Sequence, residues 1–224
     1  SKKESLEKQI KTHQITHISV VLPQLIDIIQ SKKKLPSLKC ILAGGSPFDK
    51  KLLQKGINLK LPIHLTYGMT ETSSQIATTK ITKNNTEKLS ILPHIKTSII
   101  KNKLYIKSKS ICLGYLINKK IKPITNKKGY FCTNDSVNII NNSIFNIKRT
   151  DNQLISGGEN IQPNELKSEI LKLSNIIKCN IKVSKNNRYG QKPIAYIETK
   201  KKQSIEIITK KLKRTLPKYK IPQI

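Results

Sequence analysis

The feature that most constrains the fold is an alternation in the first third of the chain. Short β-branched runs are separated by segments with helical spacing. His17–Leu22 reads as a strand, and Pro23 then opens a helix with Leu25, Ile26, Ile28 and Ile29 on its apolar side. Lys39–Ala43 reads as a second strand, Asp49–Lys55 as a short helix, and Ile63–Tyr67 as a third strand. Strands that alternate with helices imply βαβ units and a mainly parallel sheet. Ser1 to about Gln14 reads as a polar helix ahead of them.

After about Leu89 the character changes. Thr97–Ile100 and Leu104–Lys107 flank Lys101-Asn102-Lys103, and Val137–Ile140 and Ile144–Ile147 flank Asn141-Asn142-Ser143. These predict hairpins of a separate antiparallel region. From Asp151 a Gly-Gly loop leads to a helix over Pro163–Leu173 and to strands at Ile176–Val183 and Pro193–Glu198. A basic helix follows over Ser204–Leu216, with Ile205, Ile207, Ile208, Leu212 and Leu216 on its apolar side. The expected fold class is α/β. Residues 1–150 form the C-terminal portion of a large domain, with a βα part (1–88) and a β-rich part (89–150). Residues 151–224 form a small α+β domain.

The sequence of 224 residues carries a formal charge of +30, which raises nucleic acid or an anionic membrane as partners. The basic residues are almost all lysine, and the arginines are Arg149, Arg188 and Arg214. Bidentate reading of bases and phosphates favours arginine. The lysines are also spread along the chain, and abundant Lys, Ile and Asn are what an A/T-rich coding sequence produces. The charge is therefore read as drift on solvated surfaces, with no specific nucleic acid expected. Cys40, Cys112, Cys132 and Cys179 form no C-x-x-C pair, so free thiols in a reducing cytosol are expected. No apolar run approaches the length of a membrane span, and Ser1-Lys2-Lys3-Glu4 does not open a signal peptide.

Tyr67-Gly68-Met69-Thr70-Glu71-Thr72 follows the third strand and places a hydroxyl and a metal-seeking acid at one strand tip. Such tips are where open α/β sheets bind ligands. Alone, the run is equally consistent with a polar loop. Three further runs accompany it in order: Ala43-Gly44-Gly45-Ser46-Pro47 before it, then Gly129–Asp135, then Arg149-Thr150-Asp151 with Ser156-Gly157-Gly158-Glu159-Asn160-Ile161.

Together these runs resemble the adenylate-forming superfamily of acyl-CoA synthetases, peptide-synthetase adenylation domains and luciferases, and within it the o-succinylbenzoate–CoA ligases of menaquinone biosynthesis. The resemblance extends over nearly the whole chain. It implies an ATP-dependent acid–thiol ligase that makes an acyl-AMP and passes the acyl group to CoA, with ATP, Mg²⁺ and CoA as co-substrates, a cytoplasmic location and the option of a homo-oligomer. By resemblance, Gly44, Gly45 and Ser46 line the adenine pocket, and Tyr67 and Gly68 also belong to the cofactor-binding set. Thr70 binds the α-phosphate, Glu71 holds Mg²⁺, Asp135 accepts the ribose hydroxyls, and Arg149 bonds the ribose or phosphate region. Asp151 is the hinge of a mobile small domain, and Gly157 and Gly158 lie beside the pantetheine of CoA. Ser19 and Gly68, together with His17, help shape the acid pocket.

Two departures from the family pattern bear on geometry. Asn134 stands where the family has Gly, and Pro23 is shifted within Val21-Leu22-Pro23-Gln24-Leu25. The family's Ser/Thr/Gly-rich phosphate loop and its late lysine match nothing in these residues, and Lys218 and Lys220 do not take the latter's place. With no initiating Met, the chain is expected to be a segment of a longer enzyme, with low activity alone. The alternatives are a ligase for another aryl or fatty acid, and a basic binding protein that has lost catalysis.

Overall fold

The polar N-terminal stretch forms a short helix, α1 (Leu6–Thr12), which buries Ile10. Strand β1 (His17–Val20) follows, then helix α2 (Leu22–Ser31), with Pro23 in its first turn where no amide hydrogen is needed. Leu25, Ile26, Ile28 and Ile29 are buried on one side of α2, as their spacing predicts. Strand β2 (Cys40–Ala43) leads to α3 (Lys50–Asn58). The Asp49 carboxylate caps α3 by accepting from the amides of Lys51 and Leu52. Strand β3 (Ile63–Met69) completes two right-length crossovers, and β1–β2 and β2–β3 pair in parallel. The computed structural model describes residues 4–151 and 153–224.

Beyond β3 the sheet changes direction. A single 3₁₀ turn, Thr70–Thr72, and Ser73 in the left-handed region (φ 58°) return the chain as β4 (Ser74–Lys80), antiparallel to β3. So short a connection cannot make a parallel crossover. Next come β5 (Leu89–Ile91), the hairpin β6 (Lys96–Ile100) and β7 (Lys103–Lys107), and the ribbon β8 (Tyr115–Ile117) and β9 (Lys120–Lys122). Strand β10 (Phe131–Cys132) and the hairpin β11 (Asp135–Ile140) and β12 (Ser143–Arg149) follow.

Seven of these strands form one sheet in the order β1-β2-β3-β4-β5-β12-β11. Its parallel part is β1–β3, and its other neighbours pair antiparallel. The hairpin β11–β12 was expected in a separate region. It joins the large sheet instead through Ile144 opposite Leu89, while β6, β7 and β10 make a three-stranded sheet. The large core gathers Leu25 and Ile28 from α2, Leu53 from α3, Ile41, Ile63, Ile76 and Ile144 from the large sheet, and Leu104 and Ile106 from β7.

The chain divides into two units, Ser1–Asp151 and Asn152–Ile224. The second has its own core. Strands β13 (Leu154–Ser156) and β14 (Glu159–Ile161), helix α4 (Pro163–Leu171), the long hairpin β15 (Ile176–Asn186) and β16 (Gly190–Thr199), and helix α5 (Ile205–Thr215) build it. The sheet order is β14-β13-β16-β15. On α5, Ile208 and Leu212 are buried with Leu216 packed against them, but Ile205 and Ile207 are exposed. At 100° per residue, Ile207 is turned away from the face that Ile208 and Leu212 share. All four cysteines are free thiols, and no helix among the described residues is long and apolar enough to cross a membrane.

Candidate active site

A cleft of about 720 Å³ opens at the carboxyl ends of β1, β2 and β3. Ser19, Gly44, Gly45, Gly68 and Thr70 line it, so five residues singled out in the sequence converge there. The backbone needs glycine at Gly68, and at Gly44 a side chain would displace a neighbouring hydroxyl. A Cβ on Gly44 would stand 2.4 Å from Thr66 Oγ1, and one on Gly68 would stand 2.1 Å from the Ser74 carbonyl oxygen. A bulge between Tyr67 and Gly68, where β3 slips against β4, re-aims the side chains that follow. Ser46 does not line the cleft, and its Oγ is buried without a hydrogen-bond partner. His17 lies at the start of β1, its Nδ1 2.9 Å from Thr16 Oγ1.

A second constellation surrounds Asp135. This residue opens β11. Asn134 before it has φ 56°, a left-handed conformation that Asn tolerates better than most residues. Asp135 is 2% exposed. Its Oδ2 accepts the Tyr67 hydroxyl at 2.6 Å, and its Oδ1 lies 3.4 Å from Arg149 Nη1, an ion-pair distance without a hydrogen bond. Asp135 and Arg149 are direct partners across β11–β12.

Arg149 gives its better bonds to Asp151, from Nε at 3.0 Å and also from Nη2. Burial raises the pKa of Asp135 above the usual carboxylate range, against the pull of the Tyr67 hydrogen bond and the Arg149 charge. Burial and the neighbouring carboxylate push the Tyr67 phenol well above its ordinary value, so it stays a donor.

Glu71 is the middle residue of the turn between β3 and β4. Thr72 Oγ1 fixes this turn: it lies 2.9 Å from the Met69 carbonyl oxygen and 2.8 Å from that of Ser74, which share its one hydrogen, and it accepts the Met69 amide at 3.2 Å. The Tyr115 hydroxyl donates to Glu71 Oε1 at 2.6 Å, and the Cys112 amide donates to the Glu71 carbonyl at 2.9 Å. Sequence reasoning missed Tyr115, because 44 positions separate it from Glu71 and no spacing rule links them. Burial, then Glu71, push the Tyr115 phenol up to about 12. Among the described residues no three His, Cys, Asp or Glu side chains group to hold a metal. A lone carboxylate suits Mg²⁺ that arrives with a nucleotide, since that ion keeps waters and phosphate oxygens as its other ligands.

In the second unit, Gly157 and Gly158 form the turn of the β13–β14 hairpin, with φ 61° and 92°. Two positive φ values in a two-residue turn are the geometry that Gly-Gly supplies without strain.

The family profile described as AMP-binding enzyme matches residues 1–112, half of the chain. The chain belongs to this family. Among its relatives are the 2-succinylbenzoate–CoA ligases of Haemophilus influenzae, 28% identical over 92% of this chain and 47% of the relative, and of Bacillus licheniformis, 30% identical over 98% and 49%. The chain thus spans about half the length of the curated relatives it matches. A double mutant of the Bacillus subtilis o-succinylbenzoate CoA synthetase, bound to a product analogue, superposes with a TM-score of 0.86 at 26% identity over 96% of this chain and 48% of the other. The same synthetase with ATP and magnesium ion gives 0.59, with the same identity and coverage.

Proposed function

We propose that this chain serves the AMP-forming ligation of 2-succinylbenzoate to CoA, in the cytoplasm and in menaquinone biosynthesis. One observation carries the reading: Ser19, Gly44, Gly45, Gly68 and Thr70 meet in a single cleft at the carboxyl ends of the parallel strands. Ligands of open α/β sheets bind at that edge. The named relatives supply the substrate class.

In the first half-reaction a succinyl carboxylate oxygen bonds the α-phosphorus of ATP and pyrophosphate leaves. In the second the CoA thiolate sulfur bonds the acyl carbon and AMP leaves. The adenine lies against Gly44 and Gly45 near Ser46, where the absence of side chains lets a flat ring approach. Tyr67 and Gly68 border the nucleotide, and Gly68 and Ser19 border the acid. The Thr70 hydroxyl donates to an α-phosphate oxygen, and Asp135 accepts the ribose hydroxyls. Glu71 is the carboxylate that holds Mg²⁺. When bound, that ion offsets the charge that builds on the phosphate oxygens. Arg149 bonds the ribose or phosphate region, Asp151 serves as the hinge, and Gly157-Gly158 gives CoA a narrow passage.

The test is ATP- and CoA-dependent thioester formation by the native gene product, with 2-succinylbenzoate, benzoate and octanoate offered side by side. AMP release and thioester with 2-succinylbenzoate in clear excess over the other two acids is the expected result. Equal or faster turnover of benzoate or octanoate would remove the assigned substrate, and no AMP with any acid would remove the ligase reading.

A further inference from the structure

We propose that Tyr115 is the positioning residue for Glu71, holding that carboxylate in the orientation in which it takes the Mg²⁺ of a bound nucleotide. The assignment rests on the reading of Glu71 as the metal-holding carboxylate.

Three observations carry it. First, residues 112–115 grip Glu71 at two points. The Cys112 amide holds its carbonyl at 2.9 Å, and the Tyr115 hydroxyl holds Oε1 at 2.6 Å. A glutamate left free on a surface turn samples many rotamers, and fixing one costs conformational entropy. A donor that fixes the side chain in advance removes that cost from metal binding.

Second, the donor is neutral, in a chain where lysine is everywhere. Glu4, Glu7, Glu87, Glu165, Glu169 and Glu198 each lie 2.5–3.7 Å from a lysine ammonium. Glu71 is instead held by a phenol. An ammonium there would neutralise the carboxylate and compete with a cation. A phenol orients the group through one oxygen and leaves its negative charge and Oε2 for a metal.

Third, the approach of Tyr115 is built in. A Cβ on Gly114 would stand 2.2 Å from the Lys122 carbonyl oxygen, so only glycine lets the backbone pass β9 at that point. All six residues of the β8–β9 ribbon are exposed. The bond to Glu71 therefore gives Tyr115 a fixed partner that packing does not supply.

Glutamate carboxyl NMR of the isotope-labelled full chain, with the Glu71 line assigned by Glu71→Gln, tests this directly. Thermal unfolding of each variant serves as the control for folding. Tyr115→Phe keeps the ring and removes only the hydroxyl, and is expected to shift the Glu71 line while the other glutamate lines stay in place. Titration with Mg²⁺ in the presence of ATP, read on the Glu71 line, is expected to show about tenfold weaker Mg²⁺ affinity in Tyr115→Phe than in the wild type. Tyr115→Lys, which restores a donor but adds charge, is expected to weaken it as well.

An unmoved Glu71 line in Tyr115→Phe, or unchanged Mg²⁺ affinity in that variant while the wild-type line responds to the ion, overturns the assignment of Tyr115 alone. A wild-type Glu71 line that ignores Mg²⁺ and ATP overturns the metal reading of Glu71, and the positioning role with it.

Discussion

Asp135 carries the sharpest conflict between folding and binding among the residues of the site. Burial lifts its pKa, which means that the folded state disfavours the ionised form. The contribution of this group to stability is therefore full below the unfolded carboxylate value and is lost as pH rises through the folded one. Asp135→Asn keeps an acceptor for the Tyr67 hydroxyl and removes the buried charge. It is expected to unfold at a temperature no lower than the wild type at neutral pH, and the gain should vanish as the pH is lowered below the carboxylate range. Thermal melts of both proteins across pH check this, and a large loss of stability at neutral pH would contradict it.

Gly68 is a residue-scale constraint of another kind, because its missing Cβ makes room for the Ser74 carbonyl. Gly68→Ala is expected to cost about 1–3 kcal/mol in denaturant unfolding, as overpacking against backbone does. Ser19, Gly44, Gly45, Gly68 and Thr70 were legible through the ordered set of runs that carries the family resemblance, whereas Thr66, Ser73 and Gln75, which also line the cleft, belong to no such run. Tyr115 was not legible, since a contact across 44 residues leaves no mark in local spacing.

At the scale of elements, apolar spacing was a good guide wherever a face is buried. Helix α2 shows it, with Leu25, Ile26, Ile28 and Ile29 all inside. Hairpins were legible where the turn chemistry is strong. The connections are two residues long, one fewer than read in the sequence, and Lys101-Asn102 and Asn141-Asn142 both adopt the positive φ that such turns require. Strand β4 escaped notice because Ser74–Lys80 is mostly polar, and only Ile76 and Ala77 are buried. The switch from parallel to antiparallel pairing after β3 escaped for a related reason. It is set by the length of the turn carrying Thr70–Thr72, and that turn was read for its chemistry rather than its reach. Asp49 tests the element account in a place remote from chemistry. Asp49→Ala removes the two capping bonds of α3 and is expected to destabilise by about 1 kcal/mol, measured in denaturant, with nucleotide affinity unchanged.

For the whole molecule, a formal charge of +30 dominates the electrostatics. The chain holds 43 basic residues against 13 acidic ones, so like-charge repulsion opposes folding. Added salt screens that repulsion. The melting temperature is expected to rise between 0.05 and 0.5 M salt by roughly a few degrees, and a fall over that range would contradict a surface charge that acts mainly through self-repulsion. Retention on DNA or RNA is expected to be weak, insensitive to sequence and lost as salt rises.

The central claim is that the edge of the large sheet is a nucleotide site completed by Asp135, and calorimetric titration of AMP tests it most directly. The account predicts saturable one-to-one binding by the wild-type chain, and binding weaker by about tenfold or more in Asp135→Asn, which keeps its fold but loses a charged acceptor for the ribose. Equal affinity in the two proteins, or no binding by the folded wild type, would contradict it.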